Sequence, residues 1–336
     1  MHVGLSRSLG PIAVALGVVV AWPLAAQEPH PTFRAGVSRV TLNVVVRDGH
    51  GRAITGLTNA DFQVLDQGRA VQISDFRTGE EPVSLAILVD TSGSMRLGDR
   101  LTAAKYAAET LLNQLRSDDE AALFTFETSL HDVVPFSHDL AAVQRGFDRI
   151  VPFGSTSLHD AVAAAARRVA AQPSLRRAVV AITDGFDNSS RLTAAAASEV
   201  AGAIDVPVYV LAVADTSQPG DTSEVTSEPV EGGGVARLDD LTRWTGGASM
   251  AADTPTQAAA SVHQIIGDLR SGYVLAFEPE RVSGWHQLTV RVARKGATVR
   301  TRAGFWMSAP GARASGPGAD RHASTRRASM GSRPEA

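Results

Sequence analysis

Apolar and polar positions alternate at the start of the readable pattern. Val40, Leu42, Val44 and Val46 interleave with Thr41, Asn43, Val45 and Arg47, a period of two that predicts a strand. Asp48-Gly49-His50-Gly51 supplies turn chemistry, Phe62 and Val64 alternate again, Gln67-Gly68 turns the chain, and Val71 and Ile73 follow. The grammar then changes. Val83–Val89 is almost continuously apolar, as expected of a strand buried on both faces of a parallel sheet. Leu101, Ala104, Ala108, Leu111 and Leu115 recur at helical spacing, predicting a helix over 99–116.

Strands at 122–126, 178–183 and 206–213 and a short one at 130–134 alternate with helices at 139–149, 158–171 and 192–204. A polar, Gly/Pro-rich loop occupies 215–234, then a helix at 236–244, a strand at 248–251 and a helix at 255–269. Strand–helix alternation implies crossover connections and a mostly parallel sheet. Period-two patterning returns at Tyr273, Leu275 and Phe277 and at Leu288, Val290 and Val292, and Val299–Trp306 closes it. The β-rich flanks 33–80 and 271–307 are each too short for a stable sheet. They are expected to meet in one small all-β sandwich, with the α/β body 83–270 inserted between them. Deleting both flanks should then leave 83–270 soluble.

The 336 residues are 44% hydrophobic and 20% charged, a globular composition with material for about two domains. The formal net charge of −3 argues against nucleic acid as a partner, and the absence of cysteine removes disulfides, thiolate metal sites and a cysteine nucleophile. Residues 1–26 carry Arg7, an apolar run from Ile12 to Leu24 and the small exit Ala25-Ala26, the order of a secretory signal peptide. An uncleaved anchor is the alternative, although the run is short for a membrane span and Pro11 and Pro23 bracket it. No later stretch is apolar enough to cross a bilayer, so the expected location is secreted or periplasmic. Residues 308–336 hold five Arg against Asp320 and Glu335, lack apolar periodicity and read as a disordered tail.

Three short stretches carry the candidate chemistry. Asp90-Thr91-Ser92-Gly93-Ser94-Met95 begins where the first buried strand ends, and the carboxyl ends of strands form the ligand crevice of open α/β sheets. Alone this D-x-S-x-S could be a turn with an Asx cap. Gly154-Ser155-Thr156-Ser157-Leu158-His159-Asp160-Ala161 precedes a helix, and Thr183-Asp184-Gly185 follows another buried strand. Two carboxylates (Asp90, Asp184), two Ser hydroxyls (Ser92, Ser94) and Thr156 form a hard-oxygen set suited to Mg²⁺, with Mn²⁺ or Ca²⁺ also accommodated.

Together these motifs resemble a von Willebrand factor type A (VWA) domain with a metal-ion-dependent adhesion site. The layout with β flanks resembles that of secreted bacterial proteins with a VWA-related domain. The resemblance implies a doubly wound, Rossmann-like α/β fold with one antiparallel edge strand. It implies that Ser92, Ser94 and Thr156 contact the metal, with Asp90 and Asp184 acting directly or through water. Ser155 stands where a second glycine is usual. Met95, Ser155, His159 and Asp187 are expected on the ligand-binding rim.

The expected function is an extracytoplasmic, non-enzymatic binding module that captures a partner protein's Asp or Glu on the metal. The alternative is a metal-dependent hydrolase or a subunit of an envelope enzyme complex. A hydrolase needs a general base beyond the ligands, for which Glu127 and His159 are the candidates. A G-x-S-x-G elbow, a G-x-G-x-x-G after a strand and a G-x-x-x-x-G-K-[ST] loop are all absent.

Overall fold

The computed structural model describes residues 39–79, 81–185, 187–203, 205–213 and 238–307. The expected signal peptide at 1–26, the segment 33–38, the 215–234 loop and the 308–336 tail lie outside the described residues.

The first flank supplies β1 (Val40–Arg47), β2 (Phe62–Asp66), β3 (Arg69–Val71) and β4 (Ile73–Arg77). The α/β body follows as β5 (Val83–Asp90), α1 (Arg100–Asn113), β6 (Glu120–Phe126), β7 (Leu130–Ser137), α2 (Leu140–Gly146), α3 (Leu158–Ala170), β8 (Arg176–Thr183), α4 (Ala194–Ala203), β9 (Val208–Ala212), α5 (Leu238–Arg243), β10 (Ser249–Ala251) and α6 (Pro255–Ser271). The second flank is β11 (Tyr273–Phe277), β12 (Gly284–Val292), β13 (Thr298–Arg300) and β14 (Gly304–Met307).

The central sheet has the order β10-β9-β8-β5-β6-β7, parallel throughout except for β7, which runs antiparallel on the edge. Every residue of the central strand β5 is buried, as its nearly continuous apolar run predicts. Val83, Leu85, Ile87 and Val89 join a core with α1, α2 and α6, whereas Ala86 and Leu88 face α3, α4 and α5. Helices therefore cover both faces. Where sequence alone ends β7 at Val134, the strand runs through Pro135 to Ser137. An edge strand tolerates a residue that cannot donate to the ladder. Helix α6 begins with a capping box from Thr254 and Gln257 and has Pro255 in its first turn.

The flanks interleave in two four-stranded sheets, β13-β1-β11-β4 and β14-β12-β2-β3, each drawing strands from both sides of the α/β body. Val40, Leu42, Val44 and Val46 of β1 share one apolar core with Phe62, Val64, Leu275, Leu288 and Phe305. Val45 is also buried, because the opposite face of β1 rests on the α/β body. On that side Asn43 donates to Asp205 Oδ2 at 3.1 Å. Asp268 of α6 accepts from Arg47 of β1 and Arg300 of β13, with its side chain fully enclosed. Arg302 donates to the carbonyls of Gly202 and Thr41, adding a further tie between sandwich and body.

Candidate functional site

Asp90 is the last residue of β5, Thr183 the last of β8, and the 153–157 segment leads into α3. The topology thus delivers all three motifs to the carboxyl end of the parallel sheet, where strand order diverges and a crevice opens. Backbone hydrogen bonds bind the loops to one another. Thr91 N–H donates to Phe126 O at 2.9 Å, Phe153 N–H to Thr91 O at 2.6 Å, and Gly93 N–H to Gly154 O at 2.8 Å. Ser157 N–H donates to Glu127 O at 2.6 Å, which fixes the same loop to the end of β6.

Within this frame Asp90 is fully buried. Its Oδ1 accepts from Ser92 N–H at 2.8 Å and its Oδ2 from the Thr183 hydroxyl at 2.5 Å. Burial pushes its carboxyl up to about 6; the Asp184 charge adds to the rise, while the hydrogen bonds from Thr183 and Ser92 oppose it. The Ser92 and Ser94 hydroxyls lie 3.0 Å apart. Thr156 is buried, its N–H donating to Asn188 Oδ1 at 2.9 Å and its carbonyl accepting from the Asn188 and Ser189 N–H groups. Asn188, beside the T-D-G turn and readable from sequence as a rim residue, is exposed, and it also braces the Thr156 loop.

The Asp184 side chain is 1% exposed, and its Oδ2 accepts from Arg100 Nη1 at 2.9 Å. Its Oδ1 is buried without a hydrogen-bond partner among the described residues. Such an oxygen is costly to bury unless something else satisfies it. Hydroxyls and carboxylates with no nitrogen or sulfur donor, one carboxylate oxygen lacking a donor, and two hydroxyls side by side are chemically suited to a hard divalent cation. The donor set therefore fits the ion that the motifs imply.

Of the four residues expected on the rim, three have buried side chains. Met95 is fully buried in the core beneath α1, because the 3₁₀ turn Gly93–Arg96 points it inward. His159, in the first turn of α3, is 6% exposed; its Nδ1 lies 3.1 Å from Asp187 Oδ2 and 3.2 Å from Leu192 O. Asp187 also accepts from His159 N–H and Ser190 N–H, so this pair fastens the 187–192 loop from below. The Asp187 side chain is itself only 6% exposed. Ser155 alone of the four stands on the surface.

Both candidate bases are engaged within the protein. Thr128 hydroxyl and N–H donate to Glu127, His131 Nε2 lies 3.0 Å from it, and these contacts hold its carboxyl down to about 2. Ser129 Oγ contacts that same Nε2 of His131 at 3.1 Å. A relay would need the serine and the carboxylate on opposite ring nitrogens.

Residues 85–186 match the family model for the von Willebrand factor type A domain. No curated protein matches the chain significantly. Among solved structures, BatB from Bacteroides thetaiotaomicron is 21% identical over 56% of this chain and 100% of its own, with a TM-score of 0.45. An aerotolerance-related membrane protein from Bacteroides fragilis is 22% identical over 54% and 97%, with a TM-score of 0.44. A von Willebrand factor type A protein from Catenulispora acidiphila is 14% identical over 82% and 75%, with a TM-score of 0.47. The segment of this chain that is similar to a von Willebrand factor type A domain contains Asp90, Ser92, Ser94, Thr156 and Asp184, the whole of the oxygen-donor site.

Proposed function

We propose that this chain is a metal-dependent protein-binding module working outside the cytoplasm, in which Asp90, Ser92, Ser94, Thr156 and Asp184 hold Mg²⁺, or Mn²⁺ or Ca²⁺ in its place. The observation that carries this reading is the buried Asp184 Oδ1, without a hydrogen-bond partner among the described residues, at the sheet end that also carries Asp90 and the loop hydroxyls. The match of 85–186 to an interaction-domain family supports it, and the signal-like residues 1–26 support the location.

A bound divalent ion supplies a compact positive charge to which one anionic oxygen of a partner can attach. The protein sets the sign of that charge. Asp90, Asp184 and Arg100 together leave one net negative charge, and a divalent ion turns this into one net positive charge. A partner Asp or Glu then neutralises the site. The backbone bonds among the loops keep the hydroxyls in place, so little ordering is needed on binding. With Glu127 held ionised and His159 under the surface, the site is built for capture rather than for bond cleavage.

The test is calorimetric titration of the full chain with Mg²⁺, beside Asp90→Ala and Thr156→Ala. Asp90→Ala is expected to abolish binding with the fold retained, and Thr156→Ala to weaken it less, since water can replace a neutral ligand. Unchanged Mg²⁺ affinity in Asp90→Ala overturns the assignment.

A further inference from the structure

We infer that the apolar side chains Leu97, Val151 and Phe153 form a second recognition element beside the metal crevice, one that reads a large apolar residue adjacent to the partner's acidic one. This inference rests on the metal-site reading above and deepens it by stating the class of partner.

Among the described residues, seven large apolar side chains are exposed, and three of them lie on the loops that build the site. Scattered singly, such residues need no explanation. These three share the two loops that also carry the candidate hydroxyls. Val151 and Phe153 are each 76% exposed, and Leu97 is 57% exposed. Phe153 N–H donates to Thr91 O at 2.6 Å, one residue from Ser92, and Gly154 O receives Gly93 N–H. Leu97 N–H donates to Ser94 O at 3.0 Å. Both loops therefore carry an apolar side chain within a few residues of the hydroxyls they contribute.

The display is also rigid. Ile150, immediately before Val151, is buried and anchors the segment in the core. Gly154, immediately after Phe153, has φ +93, and a Cβ there would stand 2.6 Å from Glu127 Oε2. An aromatic ring held out by a fixed backbone gives contact area at little entropic cost when a partner covers it. Charge fixes the occupant. The crevice calls for one carboxylate, while the ionised Glu127 beside Gly154 disfavours a second acid on that side. The complementary partner is a protein segment in which a single Asp or Glu adjoins a Phe, Leu or similarly large apolar residue.

Three biotinylated peptides on a sensor surface test this with the full chain: Gly-Ser-Asp-Phe-Ser-Gly, Gly-Ser-Asp-Ser-Ser-Gly and Gly-Ser-Asn-Phe-Ser-Gly, each in Mg²⁺ and in EDTA. The Asp-Phe peptide is expected to bind about tenfold more tightly than the Asp-Ser peptide, in Mg²⁺ only. The double variant Val151→Ser/Phe153→Ser should erase that preference and keep the Mg²⁺ affinity measured by calorimetry. Trp306→Ser, which removes an exposed ring on β14, should leave the preference intact. Equal, Mg²⁺-dependent binding of the two Asp peptides overturns this inference and leaves the metal-site reading standing. Binding that ignores Mg²⁺, or is no weaker for the Asn peptide, overturns both.

Discussion

Arg100 Nη1 donates to Asp184 Oδ2 at 2.9 Å across 84 positions of sequence, with both side chains buried. The first turn of α1 thereby neutralises a carboxylate of the proposed metal site through one of its two oxygens. Arg100→Met keeps the length of the stem and removes the charge. A carboxylate left buried without its counter-charge is strongly destabilising, here by about 2–4 kcal/mol. The metal-free protein is therefore expected to melt several degrees lower, and Mg²⁺ to restore more stability in the variant than in the parent. Thermal melts of both proteins with Mg²⁺ and with EDTA check this. An equal Mg²⁺ shift in the two would mean that Asp184 does not face the ion.

Gly154 sits between Phe153 and Thr156 with φ +93, a region that side-chain-bearing residues rarely adopt. Gly154→Ala would also press its Cβ against Glu127 Oε2. The expected loss is about 1–3 kcal/mol of stability, together with weaker Mg²⁺ binding as the loop shifts. Adding Glu127→Ala should recover part of the loss by opening the space. Chemical denaturation of the single and double variants measures both effects.

His286 gives the fold a pH dependence. Its Nδ1 lies 2.9 Å from both oxygens of Asp66, and its Nε2 lies 2.7 Å from Val282 O. Both ring nitrogens thus face acceptors, an arrangement that suits the doubly protonated ring. Burial alone would lower its pKa, but the Val282 carbonyl and Asp66 outweigh this and raise it above 6.5. A raised folded-state value means that the stabilisation is complete below about pH 6.5 and is lost as the pH rises through the folded value. Stability should fall on the alkaline side as the ring loses its proton and the charged pair with Asp66. His286→Asn should lower stability at pH 6 and flatten the profile. Melts between pH 5.5 and 8.5 decide the matter.

Asp268 shows why the body depends on its flanks. Its enclosed carboxylate is held by Arg47 and Arg300, both from the sandwich. Asp268→Asn should lower unfolding free energy by about 3 kcal/mol in urea, since it leaves two guanidiniums without their anion. The same contact revises the expectation that 83–270 stays soluble when cut free. Excision would strip Asp268 of both partners and uncover the apolar surface beneath Val45. The fragment is expected to be markedly less stable than the full chain and prone to aggregate, which denaturation and light scattering can compare.

The α/β alternation, the burial of β5 and the three loop motifs were legible because each is written in contiguous residues. Val83–Asp90 announces its burial in eight letters, and D-x-S-x-S spans five. What was hidden lies in pairings between distant positions. Nothing around Arg100 marks it as the partner of Asp184. Nothing around Glu127 shows that it closes against Gly154. Met95 and the paired His159 and Asp187 lie off the rim that loop position alone suggests. A one-turn 3₁₀ segment rotated the first inward, and a carboxylate 28 residues away drew His159 under the surface. Val45 broke the alternation of β1 for a reason visible only in three dimensions, since both faces of that strand are covered.

The interleaving of the two flanks imposes an order of events. Leu57 N–H donates to the Tyr273 hydroxyl across 216 positions, and β2 pairs with β12 over a comparable span. While the ribosome still holds the second flank, β1 and β4 have no strand to pair with, and the β2–β3 hairpin lacks β12 on its other edge. Contacts this remote form slowly unless something shortens the path between them. The α/β body is that something, because β5 and α6 bring the two flanks side by side once the sheet has assembled. Until then the early strands are open templates for wrong pairings. A holding chaperone that shields residues 40–77 would act on this protein at its most vulnerable stage, and slowing synthesis through 238–307 would lengthen that exposure.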